Sequence, residues 1–325
     1  MGTELDVIGA IETAYDATED ESRWLERLVT TLRPSFGAGV SATSAFTFDF
    51  APDGRMTMSA VASLGDPPFT RQHFEKQQSV ATLSQLRQAF QCDMFTLLSR
   101  VVGMEAAQAG LRNAGMIGGD SLGLRSNATP DRGLILTTLV PAGFRIRNRA
   151  LWLRLASHLG AAMRLRSAKR PTPENAAAIL TPSGKFEHAT APTEGARSEL
   201  ADAAKSMDRA RGKLRRLDPE EASSLWRAMV RGEWSLVEWF DHDGKRFLVA
   251  HDNQVPAHKP TPKLSAREYE VVACAAMGHS NKLIAYDLGL SVGTVSVMLA
   301  RAAAKLGVDS RPALIRAFAE MSSGE

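Results

Sequence analysis

The last sixty residues of the chain decide its C-terminal fold. Residues 264–321 read LSAREYEVVACAAMGHSNKLIAYDLGLSVGTVSVMLARAAAKLGVDSRPALIRAFAEM. Ser265 and Glu268 have the spacing of a capping box, in which a hydroxyl and a carboxylate bond the free backbone amides at a helix start. Each of three later serines can cap a further helix: Ser280, Ser291 and Ser310. The stretch therefore predicts four helices.

Glycines separate the predicted helices. Gly278, Gly289 and Gly307 each follow an apolar run with helical spacing. The inward residues of the short second helix are predicted to be Leu283, Ile284 and Leu288, and those of the fourth to be Leu314, Ile315 and Phe318. Two helices joined through a glycine turn are typical of a helix-turn-helix, whose second helix enters the DNA major groove.

This stretch resembles the DNA-binding domain of LuxR-type regulators. The segments that carry the resemblance are Leu264-Ser-Ala-Arg-Glu268, Gly278-His-Ser-Asn-Lys-Leu-Ile-Ala285, Leu288-Gly-Leu-Ser291, Thr294-Val295 and Lys305-Leu306-Gly307-Val308. The resemblance covers only the C-terminal part of the chain. It implies double-stranded DNA as a partner, and such small modules work in pairs on two half-sites, so we also expect a homodimer.

The resemblance also implies which side chains contact DNA. The groove-facing residues would be Ser296, Val297 and Ala300, and the phosphate contacts would come from Lys282, Thr294, Arg301 and Lys305. The family commonly has a basic residue and a histidine at the positions of Ser296 and Met298. Small uncharged residues in the groove offer one hydroxyl and contact with thymine methyl groups, but no bidentate recognition of guanine. The residues predicted to be core are Val295, Met298, Ala302 and Leu306.

These features predict a DNA-binding transcriptional regulator, with RNA polymerase as a candidate partner. The poor groove-facing surface leaves a second interpretation open, a protein-binding regulator whose helix-turn-helix no longer recognises DNA. For Lys282 and Arg301, the alternative to a phosphate contact is an ordinary solvated helix face.

Composition argues against several other classes. The chain has 325 residues, a net charge of +3 and 44% hydrophobic residues. It has no glycine-rich phosphate loop, zinc-spaced cysteines or nucleophile elbow, so we expect no enzyme activity and no catalytic, cofactor or metal residues. Cys92 and Cys274 suit a reducing compartment. Without a long apolar run or a signal-peptide pattern, the chain is expected to be cytoplasmic and free of membrane.

Residues 1–170 are predicted to form a sensory unit. Residues 3–33 read as helix with a break near 17–21, and a strand then alternates Val40, Ala42, Ser44, Phe46, Phe48 and Phe50 on one face. This strand is predicted to be half-buried and to turn at residues 51–55 into a second strand at 56–63. A helical stretch at 70–114, a second hairpin and a long helix follow. This order is that of a GAF-like domain, whose apolar strand faces are either core or a pocket for an unidentified small-molecule ligand.

The long helix, from Arg147 to Ser167, has three interpretations. Eight basic residues and no acidic one lie between Arg145 and Arg170. The helix also carries an apolar stripe: Leu151, Leu155, Leu159, Ala162 and Leu165. It is a dimerising helix, a basic face near phosphates, or a surface helix that covers its own domain.

Residues 171–255 are predicted to form a smaller PAS-like unit of two hairpins around helices. The second hairpin turns at Asp243-Gly244, which as a two-residue loop would pair Phe240 with Phe247 and His251 with Leu236. That register separates His251 from His242 and argues against a metal site. A proline-rich linker at 256–263 then leads to the helix-turn-helix domain at 264–325. The predicted fold class is thus α+β, ending in an all-α domain of four helices.

Overall fold

The computed structural model describes most of the chain. The described residues are 5–16, 19–37, 39–51, 56–66, 68, 70–80, 94–116, 118–129, 131–168, 172–226, 234–252 and 264–323. Residues 52–55 of the predicted turn at 51–55, Cys92 and the linker at 256–263 lie outside them. The fold class is α+β, with antiparallel sheets in the N-terminal part and helices in the C-terminal part.

The first sheet has five antiparallel strands in the described residues. They are β1 (Ala42–Phe50), β2 (Met56–Gly65), β3 (Phe95–Leu97), β4 (Asp120–Asn127) and β5 (Arg132–Val140), in the order β2-β1-β5-β4-β3. The prediction of a helical stretch at 70–114, broken near Gly103, is confirmed at the break and wrong at β3, where Phe95 pairs with Leu124. A strand of three residues is too short to show the alternating pattern that predicts a strand. Its pairing partner, β4, is also distant in sequence.

Both faces of strand β1, which lies between β2 and β5, are covered, so the prediction of a half-buried strand is also wrong. Phe46 and Phe48 pack in one apolar cluster and Ala45 in another on the opposite face. Thr43, on the same face as Ala45, is also buried, and its hydroxyl shares a hydrogen bond with that of Thr138 at 2.9 Å. A threonine can be buried when its hydroxyl is hydrogen-bonded. The threonines of β1 gave this face a polar sequence pattern, so its burial was not predicted.

Helices flank this sheet. They are α1 (Val7–Tyr15), α2 (Glu21–Leu32), α3 (Arg71–Val80), α4 (Leu98–Val102), α5 (Met104–Asn113) and α6 (Arg149–Ala168). The predicted break before α2 is confirmed, and the Asp20 side chain caps α2 by accepting from the amide of Arg23. The predicted stripe of α2 is buried throughout: Trp24, Leu25, Leu28, Val29 and Leu32. The indole of Trp24 also donates to the Ala14 carbonyl at 3.0 Å.

Helix α6 lies in the centre of the N-terminal core. Every residue of its predicted stripe is buried: Leu151, Leu155, Leu159, Ala162 and Leu165. Trp152 on a neighbouring face stacks on Phe36 and Phe95. The helix packs on its own domain, as the third interpretation expects, but it lies in the core and not at the surface. The residues of its stripe are therefore not free to pair with a second copy.

The second sheet has four antiparallel strands among the described residues. These are β6 (Ala178–Leu180), β7 (Phe186–Ala189), β8 (Trp234–Phe240) and β9 (Arg246–Asp252), in the order β7-β6-β9-β8. Between β7 and β8 lie α7 (Arg197–Arg209), a π-helical turn (Ala210–Leu214), a helical turn (Arg215–Leu217) and α8 (Pro219–Leu225). Arg211 forms an ion pair with Glu238 of β8 within this unit and a second one with Glu12, which joins the unit to α1. Short 3-10 helices occur at Arg33–Phe36, Pro173–Asn175 and Ala191–Ala196.

The predicted register of the β8–β9 hairpin is wrong by one residue. Phe240 pairs with Arg246 and His251 with Ser235. The cause is a three-residue loop in which the Asp241 side chain accepts from the amide of Lys245 at 2.8 Å. Gly244 at φ 75° then takes the left-handed position typical of such loops.

The C-terminal part consists of four helices: α9 (Ala266–Ala276), α10 (Asn281–Leu288), α11 (Val292–Leu306) and α12 (Arg311–Ser323). They enclose a separate apolar cluster that includes Val271, Ile284 and Phe318. Among the described helices, no single one is long and apolar enough to cross a membrane. The pair α10 and α11 reaches that length only across a bend of 106°.

Candidate nucleic-acid interface

Helices α10 and α11 form a helix-turn-helix. The angle of 106° between them and their three-residue connection fit this motif. Gly289 ends α10 in the left-handed conformation at φ 63°, and the Ser291 side chain caps α11 by accepting from the amide of Thr294. Both signals were visible in the sequence.

Helix α11 presents an exposed face opposite its buried one. Val295, Leu299 and Ala302 are buried against the other helices. The predicted DNA contacts of this helix are all exposed: Thr294, Ser296, Val297, Ala300, Arg301 and Lys305. Met298 and Leu306, predicted as core, are partly buried and pack against the same cluster. The exposed apolar side chain of Val297 can contact a thymine methyl group.

The three basic residues of the candidate interface differ in their contacts within the domain. Lys282 on α10 and Arg301 on α11 are exposed. The ammonium of Lys305 bonds Glu268 Oε2 at 2.6 Å and so ties the end of α11 to the capping box of α9. The hydrogen bond from Lys305, followed by that from the Ser265 amide, lowers the pKa of Glu268 below its usual range. Lys305 thus serves the packing of the domain whether or not it also meets DNA.

Asn281 at the start of α10 is a site residue that the sequence prediction missed. Its Nδ2 donates to Ser296 Oγ at 3.0 Å, and its Oδ1 accepts from Arg311 Nη1 at 2.6 Å. Arg311 in turn donates to the carbonyl oxygen of His279 at 2.5 Å. A polar residue just after a serine cap was the only local signal, and it does not reveal a contact between two helices.

The helix-turn-helix is docked on the rest of the described chain, residues 5–252, which we call the N-terminal body. Tyr286 of α10 is buried, and its hydroxyl donates to the carbonyl of Ser223 on α8 at 2.7 Å. The same hydroxyl bonds His158 Nε2 on α6 at 3.0 Å. Leu283, predicted to face inward within the four helices, instead packs in the cluster of the N-terminal body. We call these contacts the Tyr286 socket.

The hydrogen bonds of the Tyr286 socket define the state of His158. Because the single hydroxyl proton of Tyr286 goes to Ser223, His158 must donate through Nε2 and is the Nε2–H tautomer. Its Nδ1 then accepts from the Tyr15 hydroxyl at 3.5 Å. Complete burial lowers the pKa of His158 to about 3, so the imidazole is neutral at neutral pH.

A second contact docks the end of α9. The carbonyl of Met277, which follows the last turn of α9, accepts from Arg125 Nη2 at 2.9 Å and from Asn127 Nδ2 at 3.5 Å. Both donors lie on β4 of the first sheet. Carbonyls at helix ends lack partners within the helix. The N-terminal body supplies donors to the carbonyl of Met277, and the helix-turn-helix supplies the Tyr286 hydroxyl to the carbonyl of Ser223.

The described residues were also compared with three other kinds of site: a metal site, a reactive cysteine and a ligand pocket. The described residues contain no group of three or more metal-ligating side chains. Burial raises the pKa of the Cys274 thiol to about 12, so it is not a reactive thiolate. The apolar side chains of β1 and β2 form core with α5. A surface cleft of about 320 Å³ is lined by Glu19, Asp20, Glu21, Trp24, Arg132, Met163, Arg166 and Ser167.

Comparison with known proteins agrees with this geometry. Residues 262–318 match the family described as bacterial regulatory proteins, luxR family. Over 53 residues the chain is 45% identical to the HTH-type transcriptional activator RamA of Corynebacterium glutamicum and 47% identical to the transcriptional regulatory protein FixJ of Azorhizobium caulinodans. These segments are 16% of this chain and 19% and 25% of the relatives, so the chain spans a quarter or less of their length. Residues 262–318 are therefore a helix-turn-helix domain of the luxR family.

Proposed function

We propose that this protein is a DNA-binding transcription regulator of the cytoplasm that recognises duplex DNA through α11. The observation that carries the proposal is the exposed face of α11, with Arg301 on it and Lys282 on the preceding helix. A recognition helix enters the major groove while the helix before it crosses the backbone, so these two cations would meet phosphates. Ser296, Val297 and Ala300 would then face the bases.

The N-terminal body would control this binding. We infer GAF-like and PAS-like sensory or assembly units at 1–170 and 171–255 from their element order, with an unidentified small molecule as a candidate signal. The Tyr286 socket supports this view because it connects the helix-turn-helix directly to α6 and α8. A change in either helix would alter the position of α10. RNA polymerase remains a candidate partner of the bound regulator.

Replacing both Lys282 and Arg301 with alanine should weaken binding to all duplexes alike. Each lost phosphate contact should lower the slope of log affinity against log salt by about 1. The measurement is a titration of duplex DNA at several salt concentrations. Lys305 is left intact because its ion pair with Glu268 would confound stability with binding.

Arg316→Ala is the matched control, since Arg316 is an exposed arginine on α12 and lies outside the two helices of the helix-turn-helix. It should leave affinity and salt slope unchanged. If the folded double variant binds DNA as the unaltered protein does, α11 is not the DNA-binding element. Absence of DNA binding by the unaltered protein would favour the second candidate, a protein-binding regulator, which the exposed apolar Val292 and Val297 support.

A homodimer is part of the proposal, and its two candidate surfaces are the apolar stripe of α6 and the apolar face of α12. The apolar residues of α6 are buried in the N-terminal core, and on α12 Leu314 and Phe318 are buried in the four-helix cluster. We expect sedimentation of the full chain with a two-half-site duplex to give two protein copies per duplex. One copy on such a duplex at saturating protein would contradict pairing.

A further inference from the structure

In the free protein, the hydroxyl of Ser296 already makes two hydrogen bonds within the domain. It donates its single proton to the Val292 carbonyl at 3.0 Å. A serine oxygen also accepts two hydrogen bonds. One of these comes from Asn281 Nδ2, so one lone pair remains. At the exposed face of α11, Ser296 is therefore an acceptor only.

The amide of Asn281 is oriented by its other neighbour. A guanidinium carries only donors, so the contact with Arg311 must involve the amide oxygen. The amide nitrogen consequently points to Ser296. One of its two N–H groups bonds Ser296 Oγ, and the second has no partner among the contacts of the described residues. Asn281 and Ser296 thus present one donor and one acceptor whose heavy atoms are 3.0 Å apart.

This pair is complementary to the major-groove edge of adenine, which shows the N7 acceptor beside the N6 amino donor. We propose that Asn281 and Ser296 together recognise an adenine, with Asn281 Nδ2 donating to N7 and Ser296 Oγ accepting from N6. The inference rests on the proposed binding of DNA through α11. It makes two side chains from two helices equivalent to the single amide that usually recognises adenine.

The other bases fail at one or both positions. Guanine places its O6 acceptor against the remaining lone pair of Ser296, and thymine places O4 there. Cytosine offers an amino donor to Ser296 but has no N7 for Asn281. Since the network through Arg311 holds both atoms in place, little side-chain entropy is lost on binding, which favours discrimination.

The test begins with the bases that the full chain selects. Duplexes recovered from a randomised library by the unaltered protein should show adenine at one position per half-site, preferred over other bases by about tenfold or more. Ser296→Ala should lose the preference for adenine over guanine, since both purines offer N7 to Asn281. The variant should remain folded, because Ser296 is exposed and alanine is the better helix former. Ser296→Thr, which keeps the hydroxyl, should retain the preference. Arg316→Ala, which alters an exposed side chain of α12, is the control and should keep the adenine preference.

Base analogues then separate the two hydrogen bonds. Replacing that adenine by 7-deazaadenine removes N7, the acceptor for Asn281. Replacing it by the unsubstituted base purine removes the 6-amino group, the donor for Ser296. Both duplexes are compared with the adenine duplex for the unaltered protein. Each substitution should weaken binding. In Ser296→Ala the purine substitution should have no further effect, whereas the 7-deaza substitution should still weaken binding.

The outcomes distinguish this inference from the function on which it rests. Specific DNA binding with base preferences that Ser296→Ala leaves unchanged would overturn the adenine pair and leave the regulator intact. A preference for guanine, thymine or cytosine that disappears in Ser296→Ala would also overturn it. No binding to any duplex by the unaltered protein would instead refute the proposed function, and the inference with it.

Discussion

Replacing Tyr286 with alanine is expected to destabilise the docking of the helix-turn-helix by about 3 to 5 kcal/mol, the usual cost of removing a buried aromatic ring. The ring is buried beside Arg154, whose guanidinium lies 5.5 Å from its centre. Loss of the hydroxyl also leaves the His158 Nε2–H and the Ser223 carbonyl without that partner. Because Tyr286 packs in the cluster of the N-terminal body, the four-helix core should survive.

Scanning calorimetry is the measurement. We expect the altered chain to show a transition of the helix-turn-helix domain separate from that of the N-terminal body. Tyr269→Ala is a suitable comparison, since Tyr269 packs on Phe318 inside the four-helix core and its loss should destabilise that domain itself. A Tyr286→Ala protein that melts as the unaltered one does would show that the Tyr286 socket contributes little to docking.

Stability is expected to fall steeply as the pH drops from about 6.5 towards 3, because His158 is buried as a neutral imidazole. Its pKa is lowered from 6.5 to about 3 by desolvation, so the unfolded chain binds a proton in this range while the folded chain does not. The contribution is fully present above 6.5 and shrinks by up to about 1.4 kcal/mol per pH unit below it. Burial also lowers the pKa of His251, to about 4, which adds to the slope.

Denaturant unfolding at pH 7, 6, 5 and 4 measures this slope. His158→Gln keeps a side-chain N–H for Tyr286 but cannot be protonated, so its stability should depend less on pH than that of the unaltered protein. His242→Gln is the matched control, because the His242 side chain is 90% exposed. Equal slopes for His158→Gln and the unaltered protein would mean that His158 is not buried as a neutral group.

The parts of the structure that could be predicted are those with local causes. Each of Ser265, Ser280 and Ser291 caps a helix with its own side chain, and Gly289 and Gly307 end helices in the left-handed conformation. Such signals act within one helical turn, so they can be read without knowledge of the fold. The four helices and the exposed face of α11 followed from them.

The parts that could not be predicted depend on groups distant in sequence or on a single side chain. The hairpin register moved by one because Asp241 bonds the amide of Lys245 and enlarges the loop. The Tyr286 socket joins residues 128 and 63 positions apart, and no periodicity marks such contacts. The amide of Asn281 likewise became part of the candidate interface only through its contact with Ser296.

The bond from Arg311 to Asn281 has a consequence for the transfer of specificity between regulators. Arg311 is at the start of α12 and Asn281 at the start of α10. Together they orient the side chain of Ser296, which lies on α11. Grafting α11 alone into another scaffold would therefore carry the serine without the neighbours that determine its role. If Asn281 and Ser296 recognise adenine as proposed, a chimera that is to inherit this preference has to receive positions 281, 296 and 311 as one unit.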